Sequence, residues 1–164
     1  MDRWLPGIAG LALLAALAGC SSPPPPPPPT VVKLTLTATK DVNPTATGEA
    51  SPIAVRVYQL ESTNALENAE FFPLFNDDKT ALNTTLVTRD DYILAPGATK
   101  TVTLKPKDQV TDLGIFAAYQ NFQQAKWRTA VSVPAHKTTT VTVTLAKDGT
   151  TTQASTKVGT KAGS

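Results

Sequence analysis

Apolar and polar residues alternate with period two through most of the chain, and this pattern predicts strands. Val32, Leu34, Leu36 and Ala38 are interleaved with Lys33, Thr35, Thr37 and Thr39. Ile53, Val55 and Val57 alternate with Ala54, Arg56 and Tyr58, and Val102 and Leu104 lie between Thr101, Thr103 and Lys105. Leu113, Ile115, Ala117 and Tyr119 share a face, with Phe116 on the other. Trp127, Thr129, Val131 and Val133 form a further strand, and Val141, Val143 and Leu145 alternate with threonines in the last. Residues 84–94 hold a short seventh. Turn signals separate the runs: Asn43-Pro44, Pro96-Gly97, Lys105-Pro106 and Pro134-Ala135. Strands with one apolar face need a second sheet to cover it, which predicts an all-β sandwich, with a closed barrel as the alternative.

The stretch from Ser62 to Asn83 departs from this alternation. Leu66, Ala69, Phe72 and Leu74 follow helical spacing, Ser62 or Thr63 can cap the start, and Pro73 marks a stop. Asp77 or Asp78 can cap a second helix carrying Ala81 and Leu82. The segment reads as a short helical insertion, either a plug over the open end of the sandwich or an exposed groove for a partner.

The chain ends read differently. Met1 to Trp4 is a short n-region, an apolar stretch runs from Leu5 to Ala18, and Leu17-Ala18-Gly19-Cys20 matches the bacterial lipobox. Small residues at 18 and 19 admit the backbone to a peptidase, and the Cys20 thiolate accepts a diacylglyceryl group. Cys20 is the only cysteine of 164 residues and has no intrachain disulfide partner. The expected organisation is therefore a lipoprotein signal peptide over 1–19, an acylated cysteine and proline-rich linker over 20–30, a β domain over 31–146 and a disordered tail over 147–164. Ser21, rather than Asp, follows the cysteine and favours sorting to the outer membrane, with the domain facing the periplasm. Pro23–Pro29 in polyproline II, at about 3.1 Å per residue, spaces the domain about 20 Å from the bilayer.

Charge and chemistry narrow the function. The net charge of +2 resides in the tail, where Lys147, Lys157 and Lys161 face one Asp148. No basic stripe with interleaved aromatics occurs, so the footprint of nucleic-acid binding is missing. His136 is the single histidine and lies in a turn, which leaves imidazole-based triads and metal sites short of parts. Asp77-Asp78 and Asp90-Asp91 are adjacent carboxylates that read as helix caps or solvated turns, and Asn76, Asp77 and Asp78 lack the ligand spacing of a calcium loop. The reading is a non-enzyme with no cofactor beyond the lipid on Cys20.

Taken in order, these segments resemble one family. The lipobox, then Asp41 to Leu60 with its Asn43-Pro44, Gly48 and Pro52-Ile53-Ala54-Val55-Arg56-Val57-Tyr58-Gln59-Leu60, resembles the TssJ-type lipoproteins of type VI secretion systems. Phe72 to Phe75 before an acidic pair, Leu94-Ala95-Pro96-Gly97, and Leu113 to Tyr119 leading to Trp127-Arg128 also fit, so the similarity covers about residues 31–146. The resemblance implies a transthyretin-like sandwich of about six to eight strands on the inner leaflet of the outer membrane. It implies a grip on the periplasmic C-terminal region of the inner-membrane protein TssM, completing an envelope-spanning anchor with TssL. The family's TssM-contacting loop maps to Lys40–Ser51, which puts Asp41, Val42, Asn43, Pro44, Thr45, Ala46, Thr47, Gly48 and Glu49 at the interface. Twelve residues is long for a hairpin between two pairing strands, and the loop's small residues suit presentation of backbone. Trp127-Arg128 reads as core packing, with the indole inside the sandwich and the arginine stem along its edge. From another class, a periplasmic binder of sugar or peptidoglycan needs exposed aromatic platforms. The ten aromatics mostly fall at core-facing strand positions or in the helical insertion, which disfavours that alternative.

Overall fold

A computed structural model describes residues 24–157. The strands are β1 (Val31–Ala38), β2 (Ile53–Leu60), β3 (Leu86–Leu94), β4 (Thr99–Leu104), β5 (Asp112–Ala117), β6 (Arg128–Ser132), β7 (Thr138–Ala146) and β8 (Gly149–Lys157). They form two four-stranded sheets, β4-β1-β7-β8 and β3-β2-β5-β6. The expected sandwich is the fold. β1 pairs with β7 in parallel, and the other pairings are antiparallel. Val32, Leu34, Leu36, Val141, Val143 and Leu145 of one sheet meet Ile53, Val55, Val57, Leu113 and Ile115 of the other, all fully or almost fully buried.

Three expectations change. The β1 and β2 strands do not pair with each other, because they belong to different sheets. Their long connection is a crossing between layers about 10 Å apart, not a hairpin loop. The segment after Ala146 is not a disordered tail as far as Lys157. Residues 149–157 form β8 against the whole of β7, from Ala146↔Gly149 to Thr138↔Lys157. Its threonines carry strand propensity without an apolar pattern, so periodicity could not show it. Gly149 makes the reversal at φ 140, close against Lys126, where a Cβ would lie 2.5 Å from a backbone nitrogen.

The insertion is also placed differently. It folds as α1 (Asn64–Asn68), α2 (Phe71–Asn76) and α3 (Asp78–Leu82), followed by a 3-10 turn at Asn83–Thr85. Pro73 does not stop a helix. It sits in the first turn of α2, where its missing N–H costs nothing. The three helices lie on the outer face of the β2–β5 pair rather than over an end. Tyr58, Leu60 and Phe116 point outward from that sheet into a second core with Leu66, Phe71, Leu74 and Leu82. Gly114 permits the approach, since a Cβ there would meet Leu66 Cδ2 at 2.5 Å and Leu60 Cδ1 at 2.9 Å. Trp127 packs against both cores rather than inside one.

Candidate functional site

Strand direction sorts the connections into two poles. β1 runs from Val31, whose N–H donates to the Lys137 carbonyl at 3.0 Å, to Ala38, whose N–H donates to Ala98 O at 2.9 Å. One pole therefore holds Thr30, the β4–β5 connection and the β6–β7 turn. The other holds the β1–β2 crossing (39–52), the β3–β4 turn, the β5–β6 loop (118–127) and the β7–β8 turn. Eight residues of β1 at about 3.3 Å each set the poles about 26 Å apart.

The linker enters at the first pole and is tied there. The His136 N–H donates to Thr30 Oγ1 at 2.9 Å, and His136 Nδ1 pairs with the Pro28 carbonyl at 2.9 Å. His136 adopts φ 59 to do so. Cys20 and Ser21, the lipidation and sorting residues expected from sequence, lie outside the described residues.

At the second pole the β1–β2 crossing is braced at its base and free at its tip. Val42 is fully buried in the main core. Asn43, with φ 49 and 4 % exposed, is the brace. Its Nδ2 donates to Ser51 Oγ at 3.0 Å and to Pro52 O at 2.9 Å, while its Oδ1 accepts from the Gln120 backbone N–H at 2.8 Å. Ser51 Oγ donates to Asn43 O at 2.6 Å and accepts from Gln120 Nε2 at 2.8 Å. The crossing and the β5–β6 loop are thus one body. Beyond the brace, Thr45 N–H donates to Glu49 O at 2.8 Å and Gly48 N–H donates to Thr45 O at 2.9 Å, closing a compact tip. Gly48 takes φ 86 at its corner with nothing within 4 Å, so its role there is conformational.

The sequence-predicted residues therefore divide. Val42 and Asn43 hold the loop, Pro44 and Thr45 are half-buried, and Asp41, Ala46, Thr47, Gly48 and Glu49 face solvent. Thr39 Oγ1 donates to Asp41 Oδ1 at 2.6 Å, and this bond holds the Asp41 carboxyl below the usual carboxylate range. An open cleft of about 460 Å3, lined by Pro44, Thr45, Ala46, Gln120 and Asn121, separates the tip from the β5–β6 loop. Gln120 and Asn121 were not legible as site residues. They read as ordinary polar turn positions, and only the pairing with Asn43 gives them a place.

A second polar cluster fixes the insertion. Asp78, 3 % exposed, accepts from Tyr58 OH at 3.0 Å and from Arg89 Nη1 at 3.0 and 2.9 Å on its two oxygens. Arg56 Nη1 reaches Asp78 Oδ2 at 3.3 Å and also donates to the Leu74 and Phe75 carbonyls, both at 3.0 Å, closing the C-terminal end of α2. Asp91 completes the set, 3.0 Å from Arg89 Nε and 3.5 Å from Arg56 Nε. Burial pushes the Tyr58 hydroxyl pKa well up. Asp77 caps α3, accepting from Thr80 N–H at 3.2 Å and Thr80 Oγ1 at 2.7 Å, and these bonds lower its pKa. Adjacent in sequence, the two aspartates serve separate structural tasks. On the same face the Arg128 guanidinium lies 4.5 Å over the Trp127 ring and donates to the Ala69 carbonyl.

A two-sheet sandwich, entered by a proline-rich linker at one pole and presenting a braced loop at the other, defines a tethered β-sandwich module. No helix among the described residues is long and apolar enough to cross a membrane. Residues 30–148 match the family model described as type VI secretion lipoprotein, VasD, EvfM, TssJ, VC_A0113, and the chain belongs to that family. This is a family of structural secretion lipoproteins and not of enzymes. The fold is similar to that of the T6SS lipoprotein TssJ1 from Pseudomonas aeruginosa, at 32 % identity and TM-score 0.75, over 78 % of this chain and 98 % of that one. It is also similar to Serratia marcescens Lip, a membrane-bound component of the type VI secretion system, at 27 % identity and TM-score 0.71, over 76 % and 96 %. A structure described as the T6SS protein TssM C-terminal domain from EAEC contains a chain of the same fold, at 21 % identity and TM-score 0.63, over 76 % and 98 %. A comparison with curated proteins gives no match.

Proposed function

We propose that this lipoprotein is held in the outer membrane by acyl chains on Cys20, after cleavage at Gly19, with Ser21 permitting export from the inner membrane. Its domain binds the periplasmic C-terminal region of a TssM-type inner-membrane protein and so completes the envelope-spanning anchor of a type VI secretion system. The observation that carries this reading is the polarity of the domain. The linker enters at one pole, and the braced β1–β2 loop stands at the other, about 26 Å deeper into the periplasm. Two or three acyl chains, at about 0.8 kcal/mol per buried CH2, make the membrane end effectively permanent. The occurrence of this fold in a structure named for a TssM C-terminal domain supports the choice of partner.

Asp41, Pro44, Thr45, Ala46, Thr47, Gly48 and Glu49 form the contacting tip, and Val42 and Asn43 hold it in place. A preformed loop loses little entropy on binding, which favours affinity. The test is calorimetry between the acylated mature chain in detergent and the periplasmic C-terminal region of the TssM-type protein encoded with it. Binding is expected for the natural sequence and is lost when Pro44 to Glu49 are replaced by Gly and Ser, with circular dichroism unchanged. Binding that survives the replacement moves the site elsewhere, and a folded chain that does not bind removes the proposal.

A further inference from the structure

The loop tip is a poor interface on its own. A stable protein–protein contact covers about 800 Å2 per partner, a patch about 32 Å across, and its energy concentrates in large aromatic, Arg or apolar anchors. The tip from Pro44 to Glu49 offers two threonines, an alanine, a glycine, a proline and one glutamate, and none of these is an anchor of that kind. The footprint must extend beyond it, and the surface next to the loop shows in which direction.

Among the described residues, three large apolar side chains are exposed: Ile93 at 80 %, Phe72 at 55 % and Phe75 at 41 %. All three border the same surface, the loop-pole end of the outer face of the β3-β2-β5-β6 sheet. Ile93 on β3 is opposite Ala54 on β2, and Ala54 is the second residue of the strand that leaves the loop. The Ala54 carbonyl accepts from Ala118 N–H at 2.9 Å, which extends this row of small and apolar residues toward the β5–β6 loop. The helical insertion covers the rest of the face and reaches Ala118, but it leaves Ala54 and Ile93 exposed. Phe75 lies at its margin, 5.5 Å from the Arg56 guanidinium, and Arg56 is two residues along β2 from Ala54. Phe72 stands edge-on to Phe122 with ring centroids 4.9 Å apart, and Phe122 directly follows the cleft residue Asn121. Loop, cleft and apolar shelf are therefore continuous through Pro52 to Ala54 on one side and Gln120 to Phe122 on the other. Phe75 stacks on Phe71 and Phe72 meets Phe71 edge-on, so little side-chain freedom is lost on contact.

We infer that the partner's footprint runs from the loop tip onto this shelf, with Phe72 and Ile93 as its apolar anchors and an apolar segment of the TssM-type protein as the occupant. The inference rests on the proposed function above and adds the part of the surface that supplies binding energy. The loop then sets register and orientation, and the shelf sets the dissociation rate.

The test measures affinity of the acylated mature chain for the same TssM-type periplasmic region, using the pair Phe72→Ser and Ile93→Thr. Both side chains are exposed, so the melting temperature is expected to stay near that of the natural chain. The dissociation constant is expected to rise at least tenfold, while the conservative pair Phe72→Tyr and Ile93→Val binds within about threefold of the natural chain. Ile93→Thr alone, at the most exposed site, gives the same reading if the Ser/Thr pair disturbs folding. A dissociation constant within twofold of the natural chain overturns the inference, and loss of binding on loop replacement in the same series then leaves the proposed function standing. No binding by the natural chain removes both. Capture of peptidoglycan fragments by the natural chain but not by the Ser/Thr pair also overturns the inference, because it assigns the shelf to a glycan.

Discussion

Single side chains decide whether the insertion and the loop are rigid. Asp78 is almost fully buried between two guanidiniums and a phenol, so its removal leaves Arg56 and Arg89 with only the exposed Asp91 as a shared anion. Asp78→Ala is expected to destabilise the fold by about 3 kcal/mol, because breaking a buried ionic cluster costs more than the cluster contributes net. Urea unfolding checks this, and a loss below about 1 kcal/mol would contradict it. The tyrosines make a pH prediction. Tyr119 is buried, and burial pushes its pKa from 10.0 up to about 12. Tyr58 and Tyr92 are raised too, again chiefly by burial. The native state keeps these protons where the unfolded chain has lost them, so stability is full below about pH 10 and falls as the pH rises through the window to about 12. Thermal melts against pH, with tyrosinate absorbance read alongside, would show this. Stability unchanged between pH 9.5 and 11.5 would refute it.

At the scale of elements, the strands with an alternating face were legible, and the elements whose logic is two-sided or propensity-driven were not. β1, β2 and β7 carry apolar residues at every second position, and the structure has them where the pattern puts them. β5 is buried on both faces because Phe116 and Gly114 meet the helical insertion, a relation that a period-two reading registers only as an odd aromatic. Gly114→Ala is expected to cost about 1–3 kcal/mol by driving Leu66 and Leu60 away from the sheet, measurable by denaturant unfolding. β8 was invisible because Thr, Ser and Gln on an edge strand look like a solvated tail. Cutting the chain after Asp148 strips β7 of one of its two partners and turns its nine residues into an unpaired sheet edge. Truncated protein is expected to lose more than about 2 kcal/mol of stability and to self-associate, as light scattering would report. An intact melting temperature and a monomeric profile would show that β8 is dispensable.

The whole molecule has two distinct poles, and this was half-legible. The lipobox gave the tether and the family resemblance gave the loop. Neither gave the relation between them, since the sequence alone suggests β1 and β2 as neighbours in one sheet. Only the crossing between sheets, with Asn43 joining the loop to Gln120, shows why a loop of small residues keeps a fixed shape far from the linker. The insertion adds a flank to that end through the Phe72–Phe122 contact. On the proposed function the domain acts as a spacer, with the braced loop at its far pole as the grip.

Site-specific photo-crosslinking in cells reads this polarity directly. A photoreactive residue replaces Thr47 at the loop tip in one strain and Lys107 at the linker pole in another, both of them exposed positions. This polarity predicts that position 47 captures the TssM-type protein and that position 107 does not. Capture from position 107 with none from position 47 would contradict it.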